Sequence, residues 1–422
     1  MVQQRSRLSI MSTSSKKKLM PKSALLVKKY ERQIRFMFIA FLVALTLMFI
    51  VHDPKANNKL GSVYGRLPNA LKDTRSLKKP HTDIVQGVEY PINDGKRVNA
   101  AFVTLARNED LWALVESIRD VEDRFNRKYG YDWVFFNNVP FSEEFKTVVS
   151  SLVSGKAKFT EIPQEYWSIP DFIDKEKSAK AREEFHAAKI PYGLSLSYRH
   201  MCRFESGFFW RHPELDNYKW YWRVEPETKL YCDINYDVFR FMEENDKKYG
   251  FILSLTEYKE TIPTLWETTK QFMAKYPDLI KKDNLLQFIS DDNGFSYNGC
   301  HFWSNFEIAS LDFWRSDAYR TYFDFLDKSG GFFYERWGDA PVHSIAASLF
   351  LDKEELHFFD GFGYYHPDFA SCPIESSIRL QNQCICDPRK DKTWEYDYFC
   401  NRKYMRVKKL SLPSEVKNER GK

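Results

Sequence analysis

From Phe36 to Val51 the chain runs for sixteen residues without a charged side chain (FMFIAFLVALTLMFIV). A stretch of this kind has to be kept from water, and that constrains everything after it. As a helix it spans roughly 24 Å at about 1.5 Å per residue, short of the roughly 30 Å of a typical hydrocarbon core. Arg35 and His52 at its ends can reach toward the headgroups, and a short span suits the thinner membranes of the early secretory route. Residues 1–35 carry ten Lys or Arg against one acid, Glu31, a charge of +9 by count. The whole chain is only +5, so the remainder is near −4. The basic charge therefore sits beside an apolar run rather than across a folded surface, which argues against nucleic-acid binding. By the positive-inside rule, residues 1–35 are a cytosolic tail, 36–51 a signal-anchor, and the rest is luminal. The other reading, a cleaved signal peptide, would have an unusually long basic region and no small-x-small cleavage site after Val51.

Residues 52–95 are polar, with Pro54, Pro68, Pro80 and Pro91, and read as a stem. All seven cysteines lie beyond the anchor, on the side where disulfides persist. Four fall from Cys372 onward, which points to a stapled C-terminal subregion, and the odd count leaves at least one thiol free or paired to another chain. No Asn-x-Ser/Thr acceptor occurs.

The body, 96–410, alternates strand and helix patterns and is followed by a polar tail, 411–422. Continuous apolar, β-branched runs predict strands at 98–106, 133–136, 156–162, 220–224 and 250–255. Helical spacing marks 111–125, a segment after the cap Ser142, and 194–210. This order is the signature of an α/β fold, a mostly parallel sheet covered by helices, in which ligands sit beyond the carboxyl ends of the strands. That singles out Arg107 and Glu225.

Each candidate residue has two readings. Glu225-Pro226-Glu227 ends an aromatic strand, where hard oxygen ligands hold a divalent ion, or it is a solvated turn. Glu307 is a catalytic carboxylate, or with Ser304 it forms a capping box at a helix start. Asp339 is a sugar ligand, or the N-cap of the helix that follows. His366, in a loop between aromatics, is a metal ligand, or an ordinary hydrogen-bonded histidine.

Four strings weigh more than any single residue: Phe102 to Asp110 (FVTLARNED), Tyr221 to Pro226 (YWRVEP), Tyr297 to Ile308 (YNGCHFWSNFEI) and Arg336 to Ser344 (RWGDAPVHS). In order and spacing from Val98 to Arg406 the chain resembles the fungal Golgi α-1,2-mannosyltransferases, retaining type II membrane enzymes that use GDP-mannose. The resemblance implies a GT-A-type mixed sheet and a Golgi-membrane location. It implies mannose transfer to mannose residues of O- and/or N-linked glycans in protein glycosylation and cell-wall mannan synthesis. It also implies manganese as cofactor, held by Glu225 and His366. Arg107 then lies in the nucleotide-binding loop, Tyr198 lines the donor–acceptor site, Glu307 takes the place of a proposed nucleophile, and Asp339 is an acid near the sugars. Glu-Pro-Glu stands where most GT-A enzymes carry Asp-x-Asp. The alternatives are a mannosylphosphate transferase of the same fold, or a non-catalytic subunit of a Golgi glycosyltransferase assembly.

The anchor reading predicts that protease added to sealed Golgi vesicles trims only the 35-residue tail. Digestion of the body without detergent would reverse the assigned orientation.

Overall fold

The computed structural model describes residues 94–395 and 397–418. The basic tail, the apolar run and the stem up to residue 93 lie outside the described residues. Among the described residues no helix is long and apolar enough to cross a membrane.

The twelve described strands are β1 Ala100–Leu105, β2 Asp132–Asn137, β3 Ala157–Glu161, β4 Trp220–Arg223, β5 Lys229–Leu230, β6 Tyr249–Phe251, β7 Ser254–Thr256, β8 Cys300–Phe302, β9 Glu307–Ser310, β10 Leu356–Phe358, β11 Tyr364–His366 and β12 Phe369–Ser371. Seven form one sheet in the order β10-β6-β9-β4-β1-β2-β3. β1 runs parallel to β2 and β4, β2 to β3, and β6 to β10. β9 is antiparallel to both β4 and β6. The sheet is thus mixed and mostly parallel.

β1 has the sequence of a strand covered on both faces, AAFVTL, with no polar alternation. Ala101 and Val103 pack into one buried cluster and Phe102 into the other, so the two cores lie on opposite faces of the sheet. The main flanking helices are α1 Leu111–Arg124, α2 Glu143–Leu152, α3 Leu196–Gly207, α4 Asp317–Ser329 and α5 Asp339–Phe350. Ser142 caps α2 and Ser195 caps α3, each accepting from the amide three residues on at 3.1 Å. α5 is apolar nearly all round and buried along almost its whole length, as a central helix must be. Gly207 lets α3 and α4 close up, since a Cβ there would lie 1.8 Å from the Phe323 ring.

Two features of this topology set up the site. In the parallel part of the sheet, the chain leaves β1, β2 and β4 at one common edge. Because β9 runs the other way, its first residue, Glu307, pairs with the last residue of β4, Arg223. A second sheet, β12-β11-β5, pairs Tyr365 with Lys229 and so brings His366 beside the segment that follows β4.

Several expectations are corrected. The stretch 250–255 is two strands in different sheets, with Ile252 and Leu253 at the bend between them. His366 lies on a strand, not in a loop. Of the three disulfides only Cys372–Cys386 closes within the C-terminal region. Cys232–Cys384 and Cys300–Cys400 tie that region to the body, and Cys202 is free and buried. Of the segment read as a polar tail, residues 411–418 are described, and there Val416 is in the core and Ser414 is bonded to Glu375.

Glu122, fully buried on α1, accepts from Asn126 and the Trp133 indole, both at 2.8 Å, and from the Ser154 amide at 3.1 Å. It joins α1, β2 and the turn after α2. Glu122→Ala strands three donors, at about 1 to 3 kcal/mol each when buried. Urea unfolding of the folded body should show a loss of at least about 3 kcal/mol.

Candidate active site

At the carboxyl edge of the sheet a cavity of about 360 Å³ opens, lined among others by Arg107, Asn137, Tyr198, Glu205, Arg223 and Glu225. That volume lies within the usual range for small-molecule sites. Arg107 follows β1, and its guanidinium is clamped by both oxygens of Asp110, at 2.7 and 3.0 Å. Asn137 ends β2, with its side-chain Oδ1 accepting from the Asn138 backbone amide at 2.9 Å and its side-chain Nδ2 buried without a partner.

Arg223, the last residue of β4, is the hub. It is buried and donates to Asp339 at 2.5 Å and to Glu225, and it stands 3.8 Å from Glu205. Burial alone would favour the neutral guanidine, but Glu205, Glu225 and Asp339 hold its pKa well above the ordinary arginine value. The carboxylates respond differently. Burial pushes Glu225 up, yet Arg223 and His366 more than offset it and leave it at about 2. Asp339 is likewise pulled below its usual range, against burial, by Arg223, His343 and a 2.7 Å bond from Ser304. Glu205 goes the other way. Burial, reinforced by Asp339 and Glu225 against the pull of Arg223, raises it to about 7.

Glu307 lies one layer behind. It is fully buried and its carboxylate is saturated, by Tyr221, by Tyr249 at 2.7 Å and by His343 Nδ1 at 2.9 Å. His343 Nε2 faces the Glu205 carbonyl at 3.1 Å, so both ring nitrogens face acceptors, the arrangement of an imidazolium. Burial opposes that charge, but Glu307 overrides it and raises His343.

Neither capping reading survives. Ser304 bonds Asp339 rather than a helix amide, and Glu307 opens a strand. Gly338, not Asp339, holds the N-cap position of α5.

Of the residues singled out from sequence, Arg107, Tyr198 and Glu225 line the cavity. Tyr198 stacks parallel on Tyr192 at 4.4 Å with the Arg336 guanidinium 5.1 Å over its ring, and burial keeps its hydroxyl neutral by raising it well above 10. His366 joins through Glu225, 3.5 Å away, with its ring set edge-on against Trp303. Asp339 joins through Arg223. Glu307 is off the cavity wall. Sequence reasoning missed Arg223, Tyr221 and His343, though all three lie inside the strings that carried the resemblance. It also missed Glu205. The only trace of that residue is the spacing Tyr198, Met201, Glu205, which puts the three on one helical face.

Glu225 and His366 suit manganese, a borderline ion that takes carboxylate oxygen and imidazole nitrogen together. Among the described residues no group of three or more acidic, His or Cys side chains gathers for a metal. The pair would leave the other positions to phosphate oxygens and water. The cluster also carries more negative than positive charge around Arg223, which favours a cation.

The chain matches the model of the glycolipid 2-alpha-mannosyltransferase family over residues 63–409. The chain belongs to this family. It is 60% identical to the probable mannosyltransferase KTR3 of Saccharomyces cerevisiae over 96% of this chain and 100% of that protein. With the α-1,2-mannosyltransferase KTR1 of the same yeast it shares 61%, over 79% of this chain and 85% of the relative. The crystal structure of core-mannan synthase A from Aspergillus fumigatus, in its Mn/GDP form, superposes with a TM-score of 0.68 at 40% identity. That match covers 74% of this chain and 85% of the synthase chain. Membership makes the chain a mannosyl-transferring enzyme.

Removing one partner of a buried ion pair typically costs about 3 to 5 kcal/mol. Arg223→Met should destabilise the domain by that order near neutral pH. Glu225, held far below its ordinary 4.5, contributes stability that is present above that value and lost as pH falls toward 2. The gap in Tm between wild type and Arg223→Met should therefore narrow below about pH 4.5. A gap that widens on acidification would refute this assignment.

Proposed function

We propose that this protein is a retaining α-1,2-mannosyltransferase that moves mannose from GDP-mannose to mannose residues of O- and/or N-linked glycans. It works as a single-pass type II protein of the Golgi membrane, with the body in the lumen. The observation that carries the reading is the Glu225–His366 pair at the carboxyl edge of the sheet, with Glu225 lining a cavity, in a chain of this family. The basic tail beside an apolar run supports the membrane placement, and three disulfides suit an oxidising lumen.

In this reading Glu225 and His366 hold manganese, which when bound neutralises charge developing on the leaving diphosphate. Glu225 is kept ionised and ready by Arg223. Arg107, fixed by Asp110, borders the nucleotide. Tyr198 offers a neutral hydroxyl donor at the cavity wall. Asp339 keeps the Arg223 guanidinium in one orientation. Glu307 would have to abandon three donors to bond with a sugar carbon, so it acts as a positioning residue and a fixed negative charge behind the site. That favours attack on the face from which the phosphate departs over a covalent mannosyl-enzyme.

Incubation of the purified luminal domain with GDP-mannose, manganese and methyl α-mannoside, followed by NMR of the product, tests donor, linkage and stereochemistry together. An α-1,2-linked disaccharide is expected; a β-anomer or a mannosylphosphate product refutes the reading. Chelation by EDTA should abolish transfer, and manganese should restore it better than magnesium.

A further inference from the structure

Three acidic side chains beside Arg223 and Glu307's neighbour His343 are buried from bulk water: Glu205, Glu307 and Asp339. Two of them are provided for. Glu307 takes hydrogen bonds from two tyrosines and a histidine, and Asp339 from Arg223 and Ser304. Glu205 is not. Its one ionic partner, Arg223, stands 3.8 Å off, too far for a hydrogen bond, and among the described residues no donor reaches its carboxylate. Of the three, only Glu205 lines the cavity. A carboxyl group that no protein donor reaches, at the wall of a cavity, is free to accept from a ligand that enters it.

We infer that the Glu205 carboxylate is a sugar-binding group of the donor site, accepting hydrogen bonds from hydroxyls of the mannosyl ring as it is transferred. This rests on the reading of the cavity as the GDP-mannose site. A carboxylate repels the diphosphate, so its complement is a hydroxyl-rich ligand, and two adjacent sugar hydroxyls match its two oxygens. Its place fits the mannosyl ring rather than the nucleoside. Glu205 shares Arg223 with Glu225, the proposed ion ligand, whereas Arg107 and Asn137 line the cavity from the ends of β1 and β2. On α3 it lies on the same face as Tyr198 and Met201, both of which line the cavity. Glu205 stands in the last turn of α3, where Phe204 to Gly207 are all buried, and that packing holds the carboxylate still, as a group that distinguishes one hexose from another must be held.

The test compares GDP-mannose with its 2-, 3-, 4- and 6-deoxy analogues on wild-type enzyme, Glu205→Ala and the isosteric Glu205→Gln. Binding of GDP with manganese, measured by calorimetry, reports folding and the nucleotide site. The inference expects GDP affinity within threefold of wild type for at least one variant, and kcat/KM for GDP-mannose lowered at least 30-fold in Glu205→Ala. At least one deoxy donor should lose tenfold or more in wild type yet match GDP-mannose within threefold in the variant, because the partner of the missing hydroxyl is already gone. If every deoxy donor loses as much in the variant as in wild type, Glu205 touches no sugar hydroxyl. If GDP affinity and kcat/KM fall together in both variants, Glu205 works only through Arg223, and the inference is equally overturned. Failure of the wild-type enzyme to use GDP-mannose at all would count against the reading of the cavity instead.

Discussion

One guanidinium organises the catalytic edge of this molecule. Arg223 leaves β4 into a space where water is excluded, and its charge would be untenable there without partners. The partners come from three separate parts of the chain: Glu205 from α3, Glu225 from the turn after β4, and Asp339 from the start of α5. Their attraction to Arg223 fixes the approach of helices that also meet through apolar contacts, which are less particular about register. A buried ion pair adds little net stability over a hydrophobic substitute, so its value here is geometric. It sets the orientation of the carboxylate proposed to meet the metal.

The sheet explains why Arg223 has a second layer behind it. With β9 antiparallel between β4 and β6, Glu307 falls in register with Arg223 on the sheet face that also receives Tyr221 and Tyr249. A parallel strand in the same place would put the opposite end of β9 at this edge. His343 then couples the layers, with one ring nitrogen on Glu307 and the other facing the Glu205 carbonyl on α3. The site is therefore a stack: Glu307 and His343 at the back, Arg223 and Asp339 between, and Glu205, Glu225 and Tyr198 toward the cavity.

Much of this was legible in the sequence, for identifiable reasons. β1 and β2 are continuous apolar runs, and α2 begins at the Ser142 cap, signals that depend on neighbours along the chain. The seven-stranded order does not follow from such signals, because it depends on pairings such as Trp220 with Ser310, ninety positions apart. The bend at Ile252 and Leu253 was invisible for a related cause: both residues are buried and apolar, and pattern alone cannot tell one strand from two. Ser304 with Glu307 shows the limit of local rules. The spacing fits a capping box, but tertiary partners of both side chains, Asp339 for one and Tyr221, Tyr249 and His343 for the other, claim them first.

Glu122, Glu307 and Glu205 are three buried glutamates in one domain, and composition does not separate them. Hydrogen bonding does. Glu122 receives three donors and joins secondary structure far from the cavity. Glu307 receives three as well, which frees it from any need of a ligand and makes it a wall. Glu205 receives none and faces the cavity. A carboxyl group at a cavity wall that no protein donor reaches is left free to accept from what enters the cavity, whereas the two saturated glutamates are not.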